Sequence, residues 1–285
     1  MAFKRPLVAF AYDFDGTLAP GNMQEHAFLP ALGISAAEFW SEVKTLAKEQ
    51  QGDEIHAYMH LMLQKADAAG LDLTEKAWRR HGADLSFYPG VADWFHRQNE
   101  RAASLELDLR HFIISSGNRE MVLGSRIGHE FEKVYASAFI YDGQGAAKGV
   151  ALAVSYTGKT QYLFRINKWT LDEWDDTTIN APASADERPV SFDRIVFFGD
   201  GLTDVPTMRL VTDHGGYAVA VYDPNSAKSR SAALQLKSAG RAKFAGPADY
   251  REGSSLDEQA GAMLVEMAAR MHVHNLVRWP NAEAG

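Results

Sequence analysis

The feature that most constrains the fold is a short apolar run that ends in an acidic loop containing a glycine. Leu7–Tyr12 is this run, and Asp13–Thr17, with the sequence DFDGT, follows it directly. The pattern predicts a strand buried on both faces with a polar loop at its carboxyl end. Two carboxylates one residue apart at such a position need a compensating cation, because unpaired charges are costly to bury.

The same pattern recurs further along the chain. His111–Ile114 runs into Ser115–Gly117, and Ile195–Phe198 runs into the GDGLTD sequence of Gly199–Asp204. Tyr217–Val221 is a further apolar run. Strands that alternate with helices predict an α/β fold with a doubly wound parallel sheet, whose binding crevice lies beyond the carboxyl ends of the strands. We therefore expect the polar loops to converge there.

The segment over residues 19–88 has helical patterns without strands. Ser35–Glu38 forms a capping box ahead of apolar residues at helical spacing, and Thr74 can cap a later helix. We predict a helical cap over residues 19–88, inserted into a core made of residues 1–18 and 89–285.

A second excursion from the core is predicted over Phe139–Ile166. Asp142–Gly143 is a turn dipeptide, and residues 150–154 alternate in the manner of a strand. These signals favour a β-hairpin over another helix.

Composition excludes several classes of function. The 285 residues carry 29 Lys+Arg against 37 Asp+Glu, a net charge of −8, so nucleic acid is not expected as a partner. With Cys at 0, any metal must bind oxygen or imidazole ligands. No export signal and no apolar run of membrane-spanning length are evident. We therefore predict a cytoplasmic protein that does not bind membranes.

Two acidic pairs follow predicted strands and suggest a metal site. Asp13 and Asp15 form the first pair, and Asp200 and Asp204 form the second. Together they supply hard oxygen ligands of the kind that Mg²⁺ prefers. Helix and turn capping by these acids is the alternative explanation.

These motifs, in this order, resemble those of the haloacid dehalogenase superfamily of phosphohydrolases. Asp13–Thr17 resembles the first motif, Phe112–Ser115 the second, and Gly199–Asp204 the fourth. A helical cap after the first motif is similar to that of the phosphoserine-phosphatase-like branch. The resemblance implies a Rossmann-like core and a Mg²⁺-dependent phosphatase that hydrolyses the phosphomonoester of a small metabolite.

The resemblance implies distinct roles for the first two carboxylates. Asp13 would be the nucleophile that forms an aspartyl-phosphate, and Asp15 would act as general acid and then general base. Both would also bind the metal, Asp15 through its main-chain carbonyl. Dehalogenases of the superfamily lack the second aspartate and ion-pumping members carry threonine there, so Asp15 favours phosphatase chemistry.

The resemblance also implies how phosphate and metal are held. Ser115 would donate its hydroxyl to the phosphoryl group, and the amides of Ser116 and Gly117 would open a helix that binds the anion. Asp200 would ligate Mg²⁺ directly. Asp204 would hold a water on the metal or orient a neighbouring group.

The lysine of the third motif has two candidates. Lys168 is favoured as the catalytic and phosphate-binding lysine, because it follows the hairpin and precedes a predicted helix over Thr170–Trp174. Lys159, in the sequence TGKT, is the alternative and is predicted to lie solvated on the hairpin.

Two other functions remain open at this stage. A phosphotransferase or mutase would share the aspartyl-phosphate intermediate and would pass the group to a hydroxyl other than water. A binding module without catalysis would lack the nucleophile or a metal ligand, and neither is missing here.

Overall fold

The computed structural model of the protein describes residues 3–184 and 187–278. Its core is a seven-stranded sheet in the order β4-β3-β2-β1-β5-β6-β7. The strands are β1 Leu7–Tyr12, β2 Asp108–Asn118, β3 Lys133–Tyr141, β4 Ala147–Leu152, β5 Ile195–Gly199, β6 Tyr217–Tyr222 and β7 Phe244–Pro247. All neighbouring pairs are parallel except β3 with β4. The predicted α/β fold is therefore confirmed.

Helices cover both faces of the sheet. They are α1 Phe28–Leu32, α2 Ala36–Glu49, α3 Glu54–Ala68, α4 Glu75–Ala83, α5 Val91–Ser104, α6 Arg119–Gly124, α7 Thr160–Lys168, α8 Asp176–Asn180, α9 Val205–Asp213, α10 Ala227–Ser238 and α11 Ser255–Arg278. None of the helices in the described ranges combines the length and the apolar character needed to cross a membrane.

Strand β1 lies at the centre of the sheet and is buried along its whole length. Alternate side chains of a strand point to opposite faces, so Phe10 and Tyr12 join one apolar cluster while Ala9 and Ala11 join the other. The chain moves from β1 to β2, β3 and β4 on one side, then crosses to β5, β6 and β7 on the other. The loops after β1 and β5 and the last residues of β2 therefore meet at the switch point, where α/β sheets bind ligands.

The segment between β1 and α5 is helical, as the sequence predicts. Ser35 Oγ accepts the amide of Glu38 at 3.3 Å, and Glu38 Oε2 accepts the amide of Ser35 at 3.1 Å, which completes the capping box. Helices α4 and α6 lie so close that a Cβ at Gly82 would stand 1.9 Å from the Met121 carbonyl oxygen. The segment thus packs directly on the core, and its division from the core at residues 18 and 89 stays a prediction.

The predicted hairpin is formed by β3 and β4, which are antiparallel and turn at residues 142–146. Its predicted extent over Phe139–Ile166 is wrong, because β4 ends at Leu152 and a helix begins at Thr160. The helix predicted over Thr170–Trp174 is wrong. Helix α7 occupies Thr160–Lys168 instead and ends at Trp169, whose φ of 56° leaves the helical region. Lys159 therefore stands at the start of a helix, and Lys168 is the last residue of that helix.

Candidate active site

A cavity of about 660 Å³ lies at the carboxyl edge of the sheet. Its floor is formed by the loops after β1 and β5 and by the last residues of β2, which are the three segments that the sequence predicts to converge. The site residues predicted from the sequence that line it are Asp13, Asp15, Ser115, Ser116, Gly117 and Asp200.

Three carboxylates meet at this floor. Asp13, Asp200 and Asp204 each offer one oxygen, and these oxygens lie within 4.8 Å of one another. The approach depends on Gly16, whose φ is +75° and where a Cβ would stand 2.2 Å from Asp200 Oδ2. Glycine lets the β1 loop turn through this region and come this close to the β5 loop.

Lys159 is the cation beside these carboxylates. Its Nζ donates to Asp13 Oδ2 at 2.8 Å and to Asp204 Oδ1 at 2.7 Å, and its side chain is 0% exposed. Burial disfavours the charged ammonium, but the ion pairs with Asp13 and Asp204 outweigh burial and raise the pKa of Lys159 above its ordinary value. The lysine is therefore charged at neutral pH.

The prediction that Lys168 lies at the site is wrong. Its Nζ donates to the main-chain carbonyls of Ile179 at 2.6 Å and Ala181 at 2.7 Å, in the segment that follows α7. The prediction failed because it started the helix after Lys168 rather than at Thr160. A usable signal was present, since Tyr162, Leu163 and Ile166 have helical spacing and are buried on one face of α7.

Neighbouring amides and Lys159 hold two of the three carboxylates. Asp13 Oδ1 accepts the amide of Phe14 at 2.7 Å. Asp204 Oδ2 accepts the amide of Gly201 at 3.2 Å, while its Oδ1 takes the lysine. Asp204 is 0% exposed, so both of its oxygens are committed inside the protein and it orients Lys159.

Asp15 lies apart from this group of three. Its Oδ1 accepts the amide of Met23 at 2.9 Å, which ties the first turn of the helical segment to the DFDGT loop. Burial, and next the charge of Asp13, raise the pKa of Asp15 well above its ordinary value. The carboxyl can therefore hold a proton more readily than an exposed aspartate does.

The electrostatics of the cluster fit a bound cation. Burial and the charge of Asp13 raise the pKa of Asp204 to about 6, and burial and the charge of Asp204 raise the pKa of Asp200. One ammonium therefore does not neutralise these carboxylates. The available donors are carboxylate oxygens, which suit a hard divalent ion such as Mg²⁺.

Ser115, Ser116 and Gly117 form the wall beside Asp13. Strand β2 continues through them and α6 begins only at Arg119, so the prediction that they open a helix is wrong. Ser115 Oγ accepts the amide of Gly117 at 3.1 Å, which leaves its proton available to a ligand. The hydroxyl oxygen of Ser116 is buried and has no hydrogen-bond partner among the described residues.

The fold and the acidic site together define a hydrolase with a Rossmann-like core. Residues 10–209 match the family of haloacid dehalogenase-like hydrolases. The chain belongs to this family, and the resemblance seen in its motifs is confirmed.

The chain is also similar to individual proteins. A protein of Borreliella burgdorferi (strain B31), named only as uncharacterized, is 28% identical over 251 residues, which cover 79% of this chain and 86% of that one. A probable phosphoserine phosphatase from Vibrio cholerae superposes with a TM-score of 0.55 at 15% identity, covering 94% of this chain and 67% of that chain. A phosphoserine phosphatase with an analogue of the phospho-aspartyl intermediate gives 0.52 at 14% identity, covering 89% and 97%. At these identities the two structures show a shared fold.

Proposed function

We propose that the protein is a Mg²⁺-dependent phosphatase that hydrolyses a small phosphomonoester through an aspartyl-phosphate on Asp13. The observation that carries this proposal is the placement of the Lys159 ammonium 2.8 Å from Asp13 and 2.7 Å from Asp204, beside the carboxylate of Asp200. A fixed positive charge next to a nucleophilic carboxylate is what attack on an anionic phosphate requires.

Asp13 and Asp15 divide the chemistry between them. An oxygen of Asp13 forms a bond to phosphorus while the bond from phosphorus to the alcohol oxygen breaks, and Asp15 gives its proton to that departing oxygen. Asp15 then takes a proton from water as the water oxygen attacks the phosphorus. This second step releases inorganic phosphate and restores the Asp13 carboxylate.

Other side chains stabilise charge during transfer. Lys159 and the Ser115 hydroxyl donate to the phosphoryl oxygens, and the unpartnered hydroxyl of Ser116 and the Gly117 amide lie on the same wall. Asp13 and Asp200 would hold the Mg²⁺ together with the main-chain carbonyl of Asp15, while Asp204 would keep Lys159 in place beside them. When bound, the ion offsets the repulsion between Asp13 and the phosphate.

The size of the cavity supports a small phosphorylated metabolite as the substrate, because about 660 Å³ holds a compact molecule. The likeness to phosphoserine phosphatases is consistent with a phosphomonoester. A cytoplasmic location, and the expectation that nucleic acids and membranes are not partners, remain predictions from the sequence.

Phosphate release from p-nitrophenyl phosphate tests the proposal. We expect turnover with Mg²⁺, loss of turnover with EDTA, and recovery when Mg²⁺ is added back. Asp13→Asn should fold and lose turnover by as much as about 10⁶, because an amide does not form the acyl-phosphate. Turnover that ignores the chelator, or an active Asp13→Asn variant, would contradict the proposal. Added alcohols that receive the phosphoryl group in place of water would favour a phosphotransferase.

A further inference from the structure

The part of the cavity that receives the alcohol can be located from Asp15. The proposed acid must touch the leaving-group oxygen, and its Oδ1 is already held by the amide of Met23 at 2.9 Å. The residues that follow, Gln24 and Glu25, belong to the same short 3-10 turn, Met23–Glu25. A Cβ at Gly117 would stand 3.2 Å from the other oxygen, Asp15 Oδ2, and 2.2 Å from the Met23 side chain, so this free oxygen lies beside the turn. The alcohol therefore leaves next to this turn, and the side chains of the turn help to decide which alcohols bind well.

Gln24 presents an unsatisfied acceptor in this region. It lines the cavity, its side chain is 1% exposed, and its Oε1 is buried without a hydrogen-bond partner among the described residues. Buried acceptors are nearly always paired. A 180° turn of the amide exchanges its oxygen and nitrogen, so Gln24 can present Oε1 to a donor on a ligand in the cavity. The leaving group is therefore expected to carry an N–H or O–H near the alcohol oxygen.

The surroundings of Gln24 favour a positive charge. Glu25 Oε1 accepts Trp40 Nε1 at 2.6 Å and Asn22 Nδ2 at 2.6 Å, which fixes a carboxylate behind two residues that line the cavity. The rings of Trp40 and Tyr58 are 5.9 Å apart at 65° and form a corner of the wall. Aromatic faces attract cations, and a carboxylate behind them strengthens that attraction.

The described lining of the cavity offers no cationic side chain to a second anionic group on the substrate. Among its described lining residues there is no lysine, arginine or histidine, whereas Asp223 adds a negative charge to those of Asp13 and Asp200. Lys159 is 0% exposed, and Asp13, Asp204 and, in the proposed reaction, the phosphoryl group take its three protons. A substrate carboxylate would face acidic side chains without a counter-charge.

We infer that the preferred substrate is the phosphomonoester of a short amino alcohol that carries a protonated amine and no carboxylate. This inference rests on the proposed phosphatase activity and names its substrate class. The ammonium donates to Gln24 Oε1, lies against the Trp40 ring, and is balanced by the charge of Glu25. The simplest compound of this class is 2-aminoethyl phosphate.

Three phosphate esters isolate the two charges that matter. 2-Hydroxyethyl phosphate has a hydroxyl in place of the ammonium of 2-aminoethyl phosphate. Phosphoserine keeps that ammonium and adds a carboxylate. We expect kcat/KM for 2-aminoethyl phosphate to exceed that of each of the other two by about tenfold or more, the scale of a cation held by an aromatic face and a nearby carboxylate. p-Nitrophenyl phosphate reports the phosphatase activity itself.

Variants test the residues that are assigned to the amine. Gln24→Leu removes the acceptor at similar volume, and Glu25→Gln removes the charge while keeping an oxygen for Trp40 Nε1. Each should lower the ratio of kcat/KM for 2-aminoethyl phosphate to that for 2-hydroxyethyl phosphate by about threefold or more. Glu42→Gln is the matched control, because it removes an exposed charge from α2 outside the cavity and should leave the ratio unchanged.

The outcomes separate the two proposals. One outcome would overturn the substrate inference alone. In it, the enzyme turns over p-nitrophenyl phosphate, but kcat/KM for 2-aminoethyl phosphate does not exceed that for phosphoserine or for 2-hydroxyethyl phosphate. Ratios unaffected by both Gln24→Leu and Glu25→Gln would overturn the assigned binding position. Absence of turnover with every ester would overturn the phosphatase proposal and this inference with it.

Discussion

Replacement of the two candidate lysines by methionine tests the account at its most specific point. Lys159→Met keeps the length of a fully buried side chain and removes the ammonium that donates to Asp13 at 2.8 Å and Asp204 at 2.7 Å. Loss of one preorganised donor to a transferring group lowers kcat by about 10²–10³. We expect a loss of at least that size, because this donor carries a full charge.

The same substitution should destabilise the protein. Asp13 is 6% exposed and Asp204 is 0% exposed, so solvent screens neither carboxylate well after the ammonium is gone. Removing one partner of a buried ion pair costs about 3–5 kcal/mol. Urea unfolding should show this cost, and Mg²⁺ should recover more stability in Lys159→Met than in the wild type, because the ion replaces a missing positive charge.

Lys168→Met is the matched control. Its ammonium donates to the carbonyls of Ile179 and Ala181, and loss of these bonds should cost about 1–3 kcal/mol. The kcat should stay within about twofold of the wild type, because a bond network outside the cavity does not contact the phosphate. An inactive Lys168→Met variant beside an active Lys159→Met variant would refute the assignment of the lysine.

Three further substitutions probe the site and the fold. Gly16→Ala should raise the Mg²⁺ concentration for half-maximal activity by about tenfold or more, since a Cβ would stand 2.2 Å from Asp200 Oδ2. Gly33→Ala is the control for backbone strain, because Gly33 has a φ of +66° and its Cβ would meet no described atom within 4 Å. An equal shift in both variants would contradict a role for the space beside Asp200. Asp15→Asn should reduce kcat by about 10²–10⁴ for alkyl phosphates and by less for p-nitrophenyl phosphate, because the p-nitrophenolate leaving group needs little protonation. Equal losses of kcat with the two kinds of ester would exclude Asp15 as the general acid. Asp257→Asn should lower the free energy of unfolding by about 3–5 kcal/mol without changing kcat, because the buried carboxylate pairs with two arginines. Burial alone would raise the pKa of Asp257, but the arginines outweigh burial and lower it. The stability that Asp257 contributes is therefore present at neutral pH and lost on acidification. If urea unfolding of the wild type and of Asp257→Asn loses stability equally as the pH falls, this reasoning is contradicted.

The convergence of the acidic loops could be predicted because it depends on topology. Asp13 and Asp200 each follow an apolar run that ends in a glycine-containing loop, and parallel strands with right-handed crossovers bring such loops to one edge. This prediction required no knowledge of the side-chain contacts between the two loops. The family follows from the same motifs, since their order along the chain is visible in the sequence.

The lysine could not be placed by the same reasoning. Lys159 and Asp13 are separated by 146 residues, and their contact depends on where α7 begins. A start at Thr160 puts Lys159 in the site, whereas a start after Lys168 excludes it. Periodicity locates the body of a helix better than its ends, and Trp169 leaves the helix through a left-handed conformation that local propensity does not favour.

The prediction that Ser116 and Gly117 open a helix failed for a different reason. Ser and Gly are typical of turns and helix starts, so the sequence predicts that the strand ends before Ser116 and Gly117. In the structure, the pairing of β2 with β3 shifts register between Ile114 and Asn118, and the strand continues through the irregularity. Strand pairing is a long-range interaction, and it overrides the local preference of these residues.

The proposed aspartyl-phosphate on Asp13 can be detected by trapping the phosphorylated residue. The protein would be mixed with a phosphomonoester and Mg²⁺, quenched in acid during turnover, and reduced with borohydride, which converts an acyl-phosphate on aspartate to homoserine. Peptide mass spectrometry would then locate the reduced residue. We expect homoserine at position 13 in the wild type and in Asp15→Asn, and none in Asp13→Asn. Homoserine at another aspartate, or rapid turnover with position 13 unmodified, would contradict it.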